Sequence, residues 1–284
     1  MSIKSDLQHP LSTLDKSLIT SATSLFALIA SPLAGVLADV IGRRMVILNS
    51  CILFIVGALI QAFATNVAIM IIGRAVVGLA VGTASFVVPL YISELAPSAA
   101  RGRLVTINQL LITGGQVVAY LVGWAFSDVP AGWRWMVGLG GLPAAIQLLM
   151  LGWMPETPRW LVRAERTEDA RSVLLRVYGR GGDAQRIVRD LLVRVKQEIE
   201  DEERSLEYRS EPERQKNRIF AKLGKLGEAM DELFAVGGNR RALAIACLLQ
   251  GLQQLCGFVS IFILYCHYIT KPSVYWASLM LWTC

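Results

Sequence analysis

Val67 to Pro89 reads VAIMIIGRAVVGLAVGTASFVVP, an apolar run whose single charge is Arg74. A helix needs about 20 apolar residues to cross the hydrocarbon core of a bilayer, and soluble cores do not require uninterrupted runs of that length. The run therefore predicts a membrane-crossing helix. An arginine inside such a helix costs roughly 2.5 to 3.5 kcal/mol on insertion scales, so Arg74 is expected to have an acidic partner.

Comparable runs cover Lys16 to Asp39, Met45 to Phe63, Leu104 to Phe126, Arg134 to Met154 and Ala242 to about Ile269, giving six candidate spans. Hydrophobic residues make up 54% of the chain and its mean hydropathy is +0.49, which suits an all-α polytopic membrane protein. The net charge of +6 suggests nucleic acid only until the charges are placed. Pro155 to Arg241 holds 19 of the 28 Lys and Arg and 17 of the 22 Asp and Glu, so the charge belongs to one polar loop between apolar regions. No nucleic-acid partner is expected, and the lipid bilayer is. Small-residue faces, Ala27, Ser31 and Gly35 in the first span and Gly78 and Gly82 in the third, predict close helix packing. Pro32 predicts a kink.

Short loops carry basic residues on one side only, Arg43 with Arg44 and later Arg101 with Arg103, which makes that side cytoplasmic. Residues 1–15 then lie outside the cytosol, 16–154 form five spans, 155–241 form a cytoplasmic helical loop, and 242–269 form the sixth span. The loop contains two amphipathic patterns, Thr167 to Tyr178, capped by Thr167, and Asp183 to Glu203. The five cysteines lie mostly in apolar runs without metal-ligand spacing, and His9 and His267 stand alone. Nothing assembles a nucleophile, metal site or acid pair, so no enzyme and no cofactor is predicted.

Three ordered motifs carry a family resemblance: Asp39-Val40-Ile41-Gly42-Arg43-Arg44, then Pro89-x-Tyr91-x-x-Glu94-x-x-Pro97-x-x-x-Arg101-Gly102, then Pro155-Glu156-Thr157-Pro158-Arg159. The chain resembles the sugar porter family of the major facilitator superfamily. Thr13 to Thr20 and Gly132 to Met136 are most similar to fungal myo-inositol transporters. The resemblance implies a helical bundle of that superfamily type, a small sugar or polyol as partner, alternating access, and a proton as coupling ion. It also implies an aspartate opposite Arg74 on a span that would precede residue 16.

Gln109, Thr113, Gln116 and Tyr120 fall at i, i+4, i+7 and i+11, and Gln250, Gln253, Gln254 and Gly257 at i, i+3, i+4 and i+7, giving one polar face to each of two spans. Glutamine both donates and accepts, so it can replace the hydration of a polyol, although polar glue between helices uses the same residues. The resemblance implies substrate contact for Gln109, Gln116, Gln253 and Gln254. Trp133 and Trp135 read as interfacial anchors. The corners repeat acid followed by arginines, Asp39 with Arg43 and Arg44, and Glu94 with Arg101 and Arg103, a pattern that predicts a cytoplasmic gate. By resemblance Glu156 and Arg159 join it.

After Phe258 the family pattern stops: Val259, Ile263 and Leu264 stand where an asparagine and two tyrosines are expected, and residues 270–284 read as an unrelated tail. The six candidate spans correspond to family spans two to seven. The expected function is therefore transport of a sugar or polyol, most similar to myo-inositol:proton symport at the plasma membrane, in a complete family member. The alternative is a non-transporting membrane chain, a truncated product or a half that associates with other transporter chains.

Overall fold

The computed structural model of the protein describes residues 13–126, 129, 132–179 and 181–209, with a few residues between 240 and 252. The described residues form an all-helical assembly with no strand among them. Five long helices come first: α1 Thr13–Ile41, α2 Arg43–Ala62, α3 Val67–Leu95, α4 Ser98–Ala125 and α5 Gly132–Met150. Three helices follow in the polar loop: α6 Pro158–Arg163, α7 Thr167–Tyr178 and α8 Gly182–Arg209. Ser17–Ile41, Arg43–Ala62, Val67–Leu95 and Ser98–Ala125 are long and apolar enough to cross a membrane.

Several boundaries differ from those the sequence predicts. Helix α3 runs six residues past Pro89, which lies inside it, because local adjustment and neighbouring helices re-satisfy backbone groups around a proline in an apolar span. Pro32 likewise lies inside α1. Helix α5 starts at Gly132, two residues before Arg134, and ends at Met150, with Leu151 to Trp153 forming a turn. Thr167 is the first residue of α7 and not its cap, and no side chain caps that end. The helix predicted over 183–203 extends from Gly182 to Arg209. The sixth span predicted at 242–269 and the tail fall almost wholly outside the described residues.

Packing is governed by small residues. Helix α3 lies against α1 on one side and α2 on the other, and α2 continues onto α5. A Cβ on Gly78 would come within 3.0 Å of the Thr23 Cα, and one on Gly82 within 2.7 Å of the Ala27 Cα, so the two backbones touch where a side chain would hold them apart. The predicted packing role of Gly78, Gly82 and Ala27 is what the structure contains. Gly57 and Gly73 make the same arrangement between α2 and α3, against Val77 and Gln61. Ala34, Ala38, Val46, Ile47, Cys51, Val87, Tyr91 and Leu151 close the core at one end of these helices. Overpacking of this kind costs about 1–3 kcal/mol per site. Gly82→Val is therefore expected to lower the apparent melting temperature of the purified chain by several degrees. Gly115→Ala, where a Cβ meets nothing within 4 Å, is expected to leave it within about a degree.

Helix α4 is the exception, with Gly123 its only buried residue. Beyond the long helices, Leu161, Ala170 and Val173 form a small core with Trp160, Val162 and Leu192, and Leu95 at the end of α3 packs onto it. The loop helices are thereby seated against the end of α3.

Candidate functional site: a charged corner at Gly42

The break between α1 and α2 is a single residue, Gly42, at φ 99° and ψ 154°, a backbone region open essentially to glycine. That turn reverses the chain within one residue and leaves the first N–H groups of α2 pointing into the protein. Unpaired donors at a helix start attract an anion. Glu156 supplies it: Oε1 accepts from the backbone N–H of Arg43 at 3.0 Å and of Arg44 at 3.1 Å, Oε2 accepts from Arg44 N–H at 3.2 Å, and Thr157 N–H donates to Oε1 at 3.0 Å. A Cβ at Gly42 would lie 2.5 Å from Glu156 Oε2, so the carboxylate needs the glycine. The acid expected among arginine side chains is in fact the cap of α2.

The arginines go elsewhere. Arg43 is buried, and its Nη2 meets both Asp39 Oδ1 and Glu94 Oε1 at 3.0 Å while Nη1 donates to the Ala38 carbonyl at 3.0 Å. One guanidinium thus joins the last turns of α1 and α3 to the first turn of α2. Arg163 on α6 reaches Asp39 Oδ1 at 3.4 Å, extending the network to the amphipathic helices. Arg44 donates from Nε to the Leu151 carbonyl at 3.1 Å and from Nη2 to the Gly152 carbonyl at 3.2 Å. Tyr91 Oη donates to the Pro155 carbonyl at 2.8 Å, fixing the segment that presents Glu156.

The pairing predicted for Glu94 is corrected: its partner is Arg43, and Arg101 and Arg103 on α4 are exposed. Arg159 sits half-buried on α6. Arg163 and Tyr91 were missed. Tyr91 stands inside one of the quoted motifs, whereas Arg163 has no spacing signal. Two polar atoms of the corner, Arg43 Nε and Glu94 Oε2, are buried with no hydrogen-bond partner among the described residues.

Arg74 is 1% exposed in the interior of α3. The adjacent Gly73 packs on the Gln61 side chain and Gly78 on the Thr23 backbone, so buried Gln61 and Thr23 lie near the same stretch of α3. Gln109 is exposed on α4, its carbonyl accepting from Thr113 Oγ1 at 3.1 Å, and Gln116 and Tyr120 are half-buried on the same helix. A cavity of about 250 Å³ opens between α2, α3 and α5 with Ser50, Ser85 and Gln147 as its polar lining, and neither Gln109 nor Gln116 reaches it. Gln253 and Gln254 lie outside the described residues. Trp133 is not an interfacial anchor. It is 4% exposed in a core with Ile19, Ala64 and Met70, whereas Trp135 is exposed. Among the described residues no group of His, Cys, Asp and Glu is arranged to hold a metal ion.

Apolar helices joined by glycine contacts, with charge gathered at their ends except for Arg74 inside α3, define a helical bundle of membrane type. The family described as sugar (and other) transporter matches residues 2–283, a range that includes the tail set apart above. Myo-inositol transporter 1 of Cryptococcus neoformans is 44% identical over 256 residues, covering 90% of this chain and 42% of the relative. Myo-inositol transporter 2 of Schizosaccharomyces pombe is 41% identical over 253 residues, covering 89% and 42%. Among solved structures, the major facilitator superfamily proton:xylose symporter XylE bound to 6-bromo-6-deoxy-D-glucose aligns with a TM-score of 0.64 at 26% identity, over 70% of this chain and 48% of that one. The chain belongs to the sugar (and other) transporter family. It spans less than half the length of the curated relatives it matches.

Proposed function

We propose that these residues form one half of a carrier that moves a polyol, myo-inositol, across the plasma membrane with a proton by alternating access. The observation that carries this reading is the Gly42 corner, in which Arg43, Asp39, Glu94, Glu156 and Arg163 tie the ends of α1, α2 and α3 to α6 and the loop before it. A network of charges at helix ends is stable in one arrangement and breaks when the elements separate, which is what a cytoplasmic gate requires. The names of the relatives at 41–44% identity supply the substrate class.

In this reading the face of α4 that carries Gln109, Thr113, Gln116 and Tyr120 looks onto the translocation path, and Gln253 and Gln254 are further substrate contacts. Uncharged donors and acceptors there replace the hydration of a polyol. Arg74 is the coupling residue, holding an acid whose protonation releases it. Carriers of this superfamily seat substrate between two repeats, so both halves are needed.

Uptake of labelled myo-inositol in transporter-deficient cells, with glucose and xylose as competitors, tests the reading. The 284 residues alone are expected to accumulate nothing. A version continued to twelve spans with a relative's sequence is expected to accumulate myo-inositol, and Gln116→Ala in that version to reduce uptake by at least ~10-fold, the loss of about one good hydrogen bond to substrate. Surface-expressed twelve-span protein that moves no polyol would count against it, and so would full uptake by the Gln116→Ala variant.

A further inference from the structure

Helices α2 and α5 begin alike, Gly42-Arg43-Arg44 and Gly132-Trp133-Arg134, each with an arginine two residues after a glycine. The two helices pack against each other, with a Cβ on Gly141 falling 3.5 Å from the Ala58 Cβ and one on Gly138 falling 4.0 Å from the Ala62 Cβ. At one end Arg44, from the first turn of α2, donates to the Leu151 and Gly152 carbonyls just past the end of α5. At the other end Arg134, from the first turn of α5, donates from Nη1 to the carbonyl of Ala62, the last residue of α2, at 3.3 Å. Its guanidinium carbon stands 4.8 Å from the centroid of the buried Trp133 ring.

The carbonyls that end a helix have no intrahelical partner and carry the negative end of its dipole, so a cation is the group they accept best. Each helix of this pair therefore supplies a cation to carbonyls at the other's C-terminal end, Arg134 to the last residue of α2 and Arg44 to the turn that follows α5. The Trp133 ring adds a face that holds the planar guanidinium in place.

We propose that Arg134 is a positioning residue, the counterpart of Arg44, and that the two form reciprocal caps which hold α2 and α5 in register as a single rigid pair. The caps act independently because they lie at opposite ends of the helices. When the Gly42 corner opens, Arg134 keeps the far end closed and the pair moves as one body. That consequence rests on the transport reading above, whereas the caps themselves are read without transport.

Thiol labelling separates the two ends. In the full chain with its five cysteines replaced by serine or alanine and held in lipid nanodiscs, Ala64→Cys reports the Trp133 end and Thr157→Cys the Glu156 end, both positions being fully buried. Arg134→Gln is expected to raise the maleimide rate at position 64 by at least ~10-fold and leave position 157 unchanged, and Arg44→Gln to do the reverse. Arg134→Lys, which keeps a cation able to reach both carbonyl and ring, is expected to stay within about threefold of the parent at position 64. Unchanged labelling at position 64 in Arg134→Gln overturns the proposal, and so does an equal rise at both ends. Should the glutamine variant not fold, the ¹⁹F resonance of fluorotryptophan at position 133, assigned by Trp133→Phe, decides the question. It moves more than the other tryptophan resonances in Arg134→Lys if the guanidinium sits on that ring, and stays put if it does not. Absence of transport leaves the labelling pattern unaffected, so the two readings fail separately.

Discussion

Glu94→Ala is expected to lower the apparent melting temperature of the purified chain by roughly 10 °C, the scale of losing one partner of a buried ion pair, about 3–5 kcal/mol. The Arg43 side chain is 4% exposed, and without Glu94 its remaining counter-charge is Asp39, which is 38% exposed and screened by water. Arg43→Ala strands Glu94 in the same way and should be as damaging. The double variant Arg43→Ala with Glu94→Ala removes both charges together, so its loss is expected to be clearly smaller than the sum of the two single losses. Thermal unfolding of the three proteins completes the comparison. If the losses simply add, the two side chains do not depend on each other and the corner is not a network.

Gly42→Ala combines two penalties that the geometry keeps separate. Holding an alanine at φ 99° and ψ 154° costs about 1–3 kcal/mol, whatever surrounds it. The added Cβ also displaces Glu156, whose carboxylate accepts three backbone N–H groups. Loss of a helix cap costs about 0.5–2 kcal/mol, with a further ~0.3–1 kcal/mol for the dipole. Gly42→Ala is therefore expected to destabilise the chain more than Glu156→Ala does. Once Glu156 is already alanine, Gly42→Ala should cost less than in the parent but not nothing, because the backbone strain remains. Melting temperatures of the four combinations measure this, and an unchanged Gly42→Ala effect in the Glu156→Ala background would mean that the glycine and the carboxylate do not interact.

Four long apolar helices were legible because apolar runs of that length have few other uses, and the small-residue face at Gly78 and Gly82 because close backbone approach leaves few alternatives. Helix ends were less so. A proline ordinarily stops a helix, yet Pro89 sits inside α3, since packing in an apolar span outweighs the propensity rule. The corner was legible as a set of charges and misread as pairs. Asp39 and Arg43 are four residues apart, and spacing found them. Glu94 lies 51 residues from Arg43 and Glu156 lies 113 from it, distances at which no local pattern names the partner. Proximity in sequence favoured Arg101 and Arg103 for Glu94, but Ala96 and Pro97 turn the chain into α4 and carry both arginines to an exposed position. Trp133 was misplaced for a related reason: an indole near a span end suits an interface equally well as a core, and only the packing of α1 and α3 against it decides. The glutamines of α4 share one helix as their spacing predicts, while Gln253 and Gln254 fall outside the described residues.

In the proposed transport cycle the Gly42 corner is a lock that opens as the polyol passes. Thr157 is fully buried beside the Glu156 cap, so a cysteine there reports the lock directly. In inside-out vesicles carrying the twelve-span form, maleimide labelling of Thr157→Cys is expected to be slow at rest, faster by at least ~10-fold in Glu94→Gln, and faster again when myo-inositol and a proton gradient drive cycling. Labelling that stays at its resting rate under all these conditions, in protein that transports myo-inositol, would show that the corner holds the helices together and gates nothing.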